Sequence, residues 1–352
     1  MPDTVRGCVM ELYVLNKNYD KIAVIDYAES IIWTKRYCET GDCEIYLPAE
    51  TDTLAILKKR NILQRADRPT DIMQIQTVKV ETDEEKGNYM TVTGKTMDIL
   101  LAQRIIWTQT NLSGPVVDCA KKILNENLIK PSNSARKIAG VTFESSIKNS
   151  KKVEKQITGD NLLDAFIELL TTYKCGYKAT YEKGIKITAY QGADRSGSVV
   201  FSQNMENLIE SEYSSSVEGY KNVALVAGEG EGVSRKTYTV GSAAGYDRFE
   251  EYVDARDISS DTDSGTLSNA EYNKLLAAKG QEKLAETIVQ EKFSGTIEPE
   301  INYAYGIDYD LGDIVKMINE YGMSANARIT EVIESWDESG YTCIPTFDTE
   351  EV

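Results

Sequence analysis

A chain of 352 residues, 41% of them hydrophobic and 27% charged, has the makeup of an ordinary soluble globular protein and is long enough for two or three domains. Its net charge of −17 opposes nonspecific nucleic-acid binding and docking on an anionic membrane. Histidine is absent, which removes Ser-His and Cys-His nucleophile pairs, histidine bases and nearly all zinc enzymes.

No run of about 18 apolar residues occurs, so no transmembrane helix is expected. Met1-Pro-Asp-Thr-Val-Arg6 lacks the basic-then-apolar pattern of a signal peptide, so the chain is expected to be made and folded in the cytoplasm, or to leave by a route that needs no signal. The six cysteines are scattered without a C-x-x-C and read as reduced, mostly buried residues. Cys38 and Cys43 flank a turn, where a disulfide is compatible with the spacing but not expected in a reducing compartment.

Residues 8–15 and 22–26 read as short strands. Ile31–Cys38 and Cys43–Leu47 form a hairpin, which Pro48 ends because proline cannot donate to a ladder. A short helix fits Thr53–Lys59, and Ile72–Glu81 pairs with Tyr89–Val92 around the polar turn 82–87. Residues 1–104 are thus expected to be a strand-dominated domain.

The middle, 105–200, reads as α+β. Ser113-Gly-Pro115 starts a helix that buries Val116, Val117, Ala120, Ile123 and Leu124. Pro131–Lys152 is polar and expected to be a loop or arm. A second helix starts near Gly159-Asp-Asn161 and buries Leu162, Leu163, Phe166, Leu169, Leu170 and Tyr173. A hairpin, 176–181 with 185–190, turns at Lys183-Gly184.

Strands return in 201–352, at 199–201, 208–216, 223–227, 235–240, 249–255, 296–303, 314–318, 327–334 and 342–347. One helix, about 268–292, opens on the capping box Ser268-Asn-Ala-Glu271 and carries Tyr272, Leu275, Leu276, Leu284 and Ile288 on one face. The third domain is therefore expected to be an antiparallel sheet or barrel with one long helix.

Three stretches invite a chemical reading. Asn222–Arg235 brings an apolar run into Gly228, Gly230 and Gly232, like a nucleotide loop. The third glycine comes one position too early for a dinucleotide fingerprint, Glu229 and Glu231 repel phosphate, and a β-type run follows instead of a helix. A turn between antiparallel strands fits better. Asp308, Asp310 and Asp313 suggest calcium, but Leu311-Gly312 interrupts them and a strand begins at Ile314, so solvated turn residues are expected. Asp254 and Arg256 read as a local ion pair. No catalytic, cofactor-binding or metal-binding residue is assigned, and no cofactor is expected.

The order of these segments resembles the tail-tip, or baseplate hub, proteins of siphophages and related prophages. The likeness runs through Tyr13-Val-Leu-Asn16, Ile32-Trp-Thr-Lys-Arg-Tyr37, Gly41-Asp-Cys-Glu-Ile-Tyr-Leu-Pro48, Gly94-Lys95, Gly192-Ala-Asp-Arg195, Lys221–Gly232, Gly245-Tyr-Asp-Arg248, Asp308–Val315 and Arg328-Ile-Thr-Glu-Val332. Turns matching the family fall at Gly41, Gly94, Gly228, Gly230, Gly312 and Asp313; the subunit interface is not assigned. The resemblance implies two tube-like β-barrels flanking smaller α+β domains. It implies a homotrimer whose six barrels continue the tail tube, adapt sixfold to threefold symmetry and let DNA pass without specific binding. A distal-tail or tube protein is implied above, a spike, fibre or cell-wall hydrolase protein below, and a tape-measure protein as a further partner. Many relatives carry a further C-terminal hydrolase or fibre-like part; because this chain stops at Val352, puncturing or lysis is expected of another protein. The implied place is the virion tail tip. A carbohydrate-binding surface protein and a carboxylate-based cell-wall hydrolase are the alternatives that an acidic, tyrosine-rich β protein leaves open.

Overall fold

The computed structural model describes residues 10–84, 87–148, 152–262, 265–297, 301–322 and 324–349. Cys8 and Val9 of the expected first strand, Glu85 and Lys86 of the 82–87 turn, 149–151 of the polar stretch and 298–300 of the strand expected at 296–303 lie outside these.

In chain order the first part comprises β1 (Leu12–Leu15), β2 (Lys21–Ile25), β3 (Ser30–Arg36), β4 (Asp42–Pro48), α1 (Thr51–Ile56), β5 (Ile62–Arg65), β6 (Ile72–Asp83) and β7 (Gly87–Thr96). The middle part comprises β8 (Thr110–Pro115), α2 (Val116–Leu124), β9 (Val141–Ser145), β10 (Lys152–Ile157), α3 (Leu162–Thr172), β11 (Gly176–Tyr181) and β12 (Ile185–Tyr190). There follow β13 (Val200–Ser202), β14 (Leu208–Ser216), β15 (Val223–Ala227), β16 (Thr237–Val240), β17 (Glu250–Asp254), β18 (Asp261–Thr262), β19 (Gly265–Thr266) and α4 (Asn269–Glu286). The last strands are β20 (Gln290–Ile297), β21 (Ile314–Ile318), β22 (Ser324–Asp337) and β23 (Gly340–Thr349).

The protein is mainly β. Its largest sheet runs β14-β20-β23-β22-β3-β4-β7-β6-β5-β1-β2, with β21 on β22 and β13 on β21. Strands from both ends of the chain therefore share one sheet, and among the described residues no sheet closes into a barrel. Alternation builds each strand. In β4, Cys43, Ile45 and Leu47 point inward while Glu44 faces water. The first half closes over Leu12, Ile31, Trp33, Ile45, Leu63 and Met73, and the second over Phe201, Tyr309, Val315, Ile329 and Phe347.

The middle part shares its core with the first, since Leu15, Ile62, Ile72, Met97 and Leu101 pack into one cluster with the residues of α2 and α3. Asn161 caps α3, accepting from the Leu163 amide at 2.9 Å and donating to the Ala102 carbonyl at 3.0 Å. Leu162, Phe166 and Leu170 are then fully enclosed, and each such side chain contributes about 1.5–3 kcal/mol of burial. A fourth core, Ala224, Val226, Val253, Tyr272 and Leu276, joins α4 to the sheet β16-β15-β17.

Three readings of the sequence need correction. The polar stretch 131–152 contains β9, which pairs in parallel with β12 through Val141, Phe143 and Ser145; its period-two pattern is short and its partner lies about forty residues on. The helix opens on the expected Ser268 capping box but ends at Glu286, where the Thr287 amide turns back to the Leu284 carbonyl, and Ile288 is exposed. The strand expected at 296–303 begins earlier, with β20 over Gln290–Ile297, and 301–303 belong to no strand. The four-residue β5 was not anticipated.

Candidate functional site

The two ends of the chain meet where β3 pairs with β22, from Arg36 opposite Glu331 to Ile31 opposite Trp336. Behind this seam lies an ion pair whose partners are both 1% exposed: Arg65 Nη1 reaches Glu334 Oε2 at 2.6 Å and Nη2 reaches Oε1 at 3.2 Å. Asp67 holds the far side of Arg65 at 2.6 Å and 2.9 Å, while Arg68 and Tyr341 donate to Glu334 at 3.2 Å and 3.1 Å. The Arg65 guanidinium also lies 4.8 Å from the Trp336 ring centre. Burial works against the charge of Arg65, but the hydrogen bonds it donates to Asp67 and Glu334 outweigh it and push its pKa up. A second network runs along the strands: Arg36 binds Glu331 at 2.6 Å and Asp42 at 2.9 Å, and Lys95 binds Asp42 at 3.0 Å.

Tyr37 ties all three parts together at the end of β3. Its hydroxyl lies 3.4 Å from the Lys174 carbonyl and 3.3 Å from that of Tyr190. Its ring fills the space above two glycines: a Cβ on Gly176 would come within 2.0 Å of it, and one on Gly312 within 2.3 Å. Gly312 also has φ of +90°, which side-chain-bearing residues rarely adopt. Burial raises the Tyr37 pKa to about 12.

Of the family turns, Gly312 and Asp313 thus sit at this junction. Asp313 is not the solvated residue expected. It is 5% exposed and accepts from the Arg195 guanidinium at 2.6 Å, the Ala193 amide at 2.7 Å and the Asp310 amide at 3.0 Å. Gly41 stands just before β4 and Gly94 on β7, the strand paired with β4; their Cβ positions are blocked by the Thr34 carbonyl at 2.5 Å and Cys43 Sγ at 2.8 Å. Gly228 and Gly230 are elsewhere, in the turn between the antiparallel β15 and β16. There Glu229 accepts from the Ser260 hydroxyl at 2.8 Å, and the Tyr272 hydroxyl accepts from the Glu229 amide at 2.8 Å. The loop clamps the chain to itself. Asp254 and Arg256 pair at 2.5 Å as expected.

Cys38 and Cys43 are free thiols, and burial pushes both up to about 12, away from thiolate. Among the described residues no group of three or more Cys, Asp or Glu is arranged to hold a metal. A cavity of about 250 Å³ lies between the three parts, reaching Lys35, Asp71, Asp98 and Tyr177. Burial raises the Asp98 pKa; its Oδ2 accepts from Thr40 at 2.6 Å and from Tyr177 at 2.8 Å. No helix among the described residues is long and apolar enough to cross a membrane. Sequence reasoning passed over Arg65, Glu334 and the junction role of Tyr37; of these only Tyr37 stood in a quoted family segment.

The fold is that of solved phage and prophage tail proteins. The chain belongs to the family described as Siphovirus ReqiPepy6 Gp37-like protein, whose model matches residues 11–347. Among solved structures it is similar to the 43 kDa tail protein of prophage MuSo2 from Shewanella oneidensis, at 10% identity and TM-score 0.63, with 96% of this chain and 98% of that one covered. It is similar to the tail protein from Neisseria meningitidis MC58, at 11% identity and TM-score 0.60, with 97% of each chain covered. A third likeness is to prophage tail protein gp18 from Listeria monocytogenes EGD-e, at 12% identity and TM-score 0.57, with 97% of this chain and 95% of that one covered. Among curated proteins none matches the sequence.

Proposed function

We propose that this tail protein is the structural hub at the tip of the tail, a homotrimer that continues the tail tube as a ring with DNA passing through its channel. The observation that carries this reading is the division of the main sheet. Each end of the chain contributes a half with its own core, and the halves are fixed side by side by β3–β22 pairing. Two tube-like units per chain, at 1–104 and within 201–352, become six in a trimer, which matches a sixfold tube to a threefold tip. Each half closes toward a barrel in the ring, and 105–200 is the α+β domain between them. A distal-tail or tube protein sits above, a spike, fibre or hydrolase protein below, and the tape-measure protein ends here. The hub is not an enzyme: its work is to hold shape, which a histidine-free chain with buried, protonated thiols suits. Part of the −17 charge faces the channel and keeps DNA from sticking. Negative-stain imaging and native mass measurement of the purified protein test this. Threefold rings with a central hole are expected, and a single-subunit mass even inside purified particles refutes it.

A further inference from the structure

The unit made of β15–β17 and α4 is a lobe inserted into the main sheet. It leaves at the end of β14 and returns at the start of β20, two strands that pair with each other up to Ser216 opposite Gln290. The Lys221 amide bonds the Thr287 carbonyl at 2.9 Å across this two-stranded neck. The lobe has its own core and touches the middle part through polar groups. The Ser259 amide donates to Gln156 at 3.2 Å. Beside it, Lys155 of β10 lies between two carboxylates, Glu168 of α3 at 2.8 Å and Glu282 of α4 in direct contact. Lys155 and Glu282 are 13% and 9% exposed at their side chains.

We propose that Lys155, Glu168 and Glu282 form a proton-controlled latch, which holds the inserted lobe on the middle part while the two carboxyls share one proton and loosens it when both are charged. One largely buried ammonium can neutralise one carboxylate; Glu168, 39% exposed at its side chain, keeps contact with water and stays charged, so Glu282 must keep its proton or carry an unmatched charge out of water. Burial raises Glu282 to about 7, opposed by Lys155 and helped by the neighbouring Glu168, whereas Glu168 is held below its ordinary value, against its own burial, first by its hydrogen bond with Glu282 and then by Lys155. The other charges around Glu282 do not cancel the excess. Of the charges lining the same cleft, Lys279 is held by Asp257 at 3.6 Å, Asp254 by Arg256 at 2.5 Å and Lys283 by Glu286 at 2.6 Å, and Tyr173 of the α3 terminus is neutral, its pKa raised chiefly by burial. On the far wall Arg36 is already held by Asp42 and Glu331.

The sign follows from Glu282. Its docked pKa is raised above its ordinary 4.5, so its contribution to docking is complete below that value and is lost as pH rises through about 7. Between about pH 5.5 and about pH 8 the ratio of docked to undocked lobe is expected to fall about 30-fold. Hydrogen exchange of the full chain, corrected for intrinsic rates, reads this at the Ser259 amide, which docking covers. Glu282→Gln is expected to remove the pH dependence. Wild-type loss of protection persisting in that variant overturns the proposal. Glu168→Gln, should Glu282→Gln fail to fold, is expected to lower the midpoint by at least about one pH unit, because it takes away a like charge; an unmoved midpoint also overturns it.

Discussion

Glu334→Gln tests whether the seam holds the two ends of the chain together. The change keeps volume and removes charge. Glu334 accepts from Arg65 at 2.6 Å and 3.2 Å, from Arg68 at 3.2 Å and from Tyr341 at 3.1 Å. A glutamine amide would turn a donor toward these donors. At an effective dielectric near 20 the lost attraction is about 4 kcal/mol for charges 4 Å apart. Breaking a buried pair by removing one partner costs about 3–5 kcal/mol. Asp67 still grips Arg65, so the lower figure, about 3 kcal/mol, is expected. On a cooperative unit of about 150–250 residues that lowers Tm by about 6–12 °C. Calorimetry and urea unfolding measure it, with the midpoint falling at constant slope. Arg65→Met combined with Glu334→Met is expected to cost less than Glu334→Gln alone, since no buried charge is stranded. A Glu334→Gln loss under about 1 kcal/mol refutes the reasoning.

Gly312→Ala is expected to cost at least about 2 kcal/mol, from strain at φ of +90° and contact with the Tyr37 ring, and urea midpoints should show the cost shrinking in a Tyr37→Ala background. Ser268→Ala opens the capping box and should cost about 1 kcal/mol, seen as faster exchange in the first turn of α4 with other regions unchanged. Burial raises the Asp98 pKa, so its contribution is complete below its ordinary value near 3.9 and is lost as pH rises through the raised one. Asp98→Asn should therefore flatten the difference between unfolding midpoints at acid and neutral pH, and an unchanged difference would contradict that assignment.

Local signals in the sequence were read well where one segment decides the outcome. The Ser268 capping box, the Asn161 cap and the hairpin turning at Lys183-Gly184 depend on residues within a few positions of each other. The β15–β16 turn was legible for the same reason, because Glu229 and the missing helix exclude a phosphate site locally. Short elements with remote partners were not legible: β5 has four residues, and β9 is completed only by β12. The seam was hidden altogether, since Arg65 and Glu334 are 269 positions apart and look like ordinary surface charges in their own segments. Asp313 was misjudged because its partner, Arg195, lies 118 residues earlier. Tyr37 drew notice within a family segment, but two glycines from different parts of the chain reveal why a tyrosine stands there.

The most direct measurement is a cryo-electron microscopy reconstruction of a tailed particle that contains this chain. The account predicts three copies in a ring at the distal end of the tube, with six sheet halves around one open channel. One copy per particle, or copies placed along the shaft or on the capsid, would contradict it.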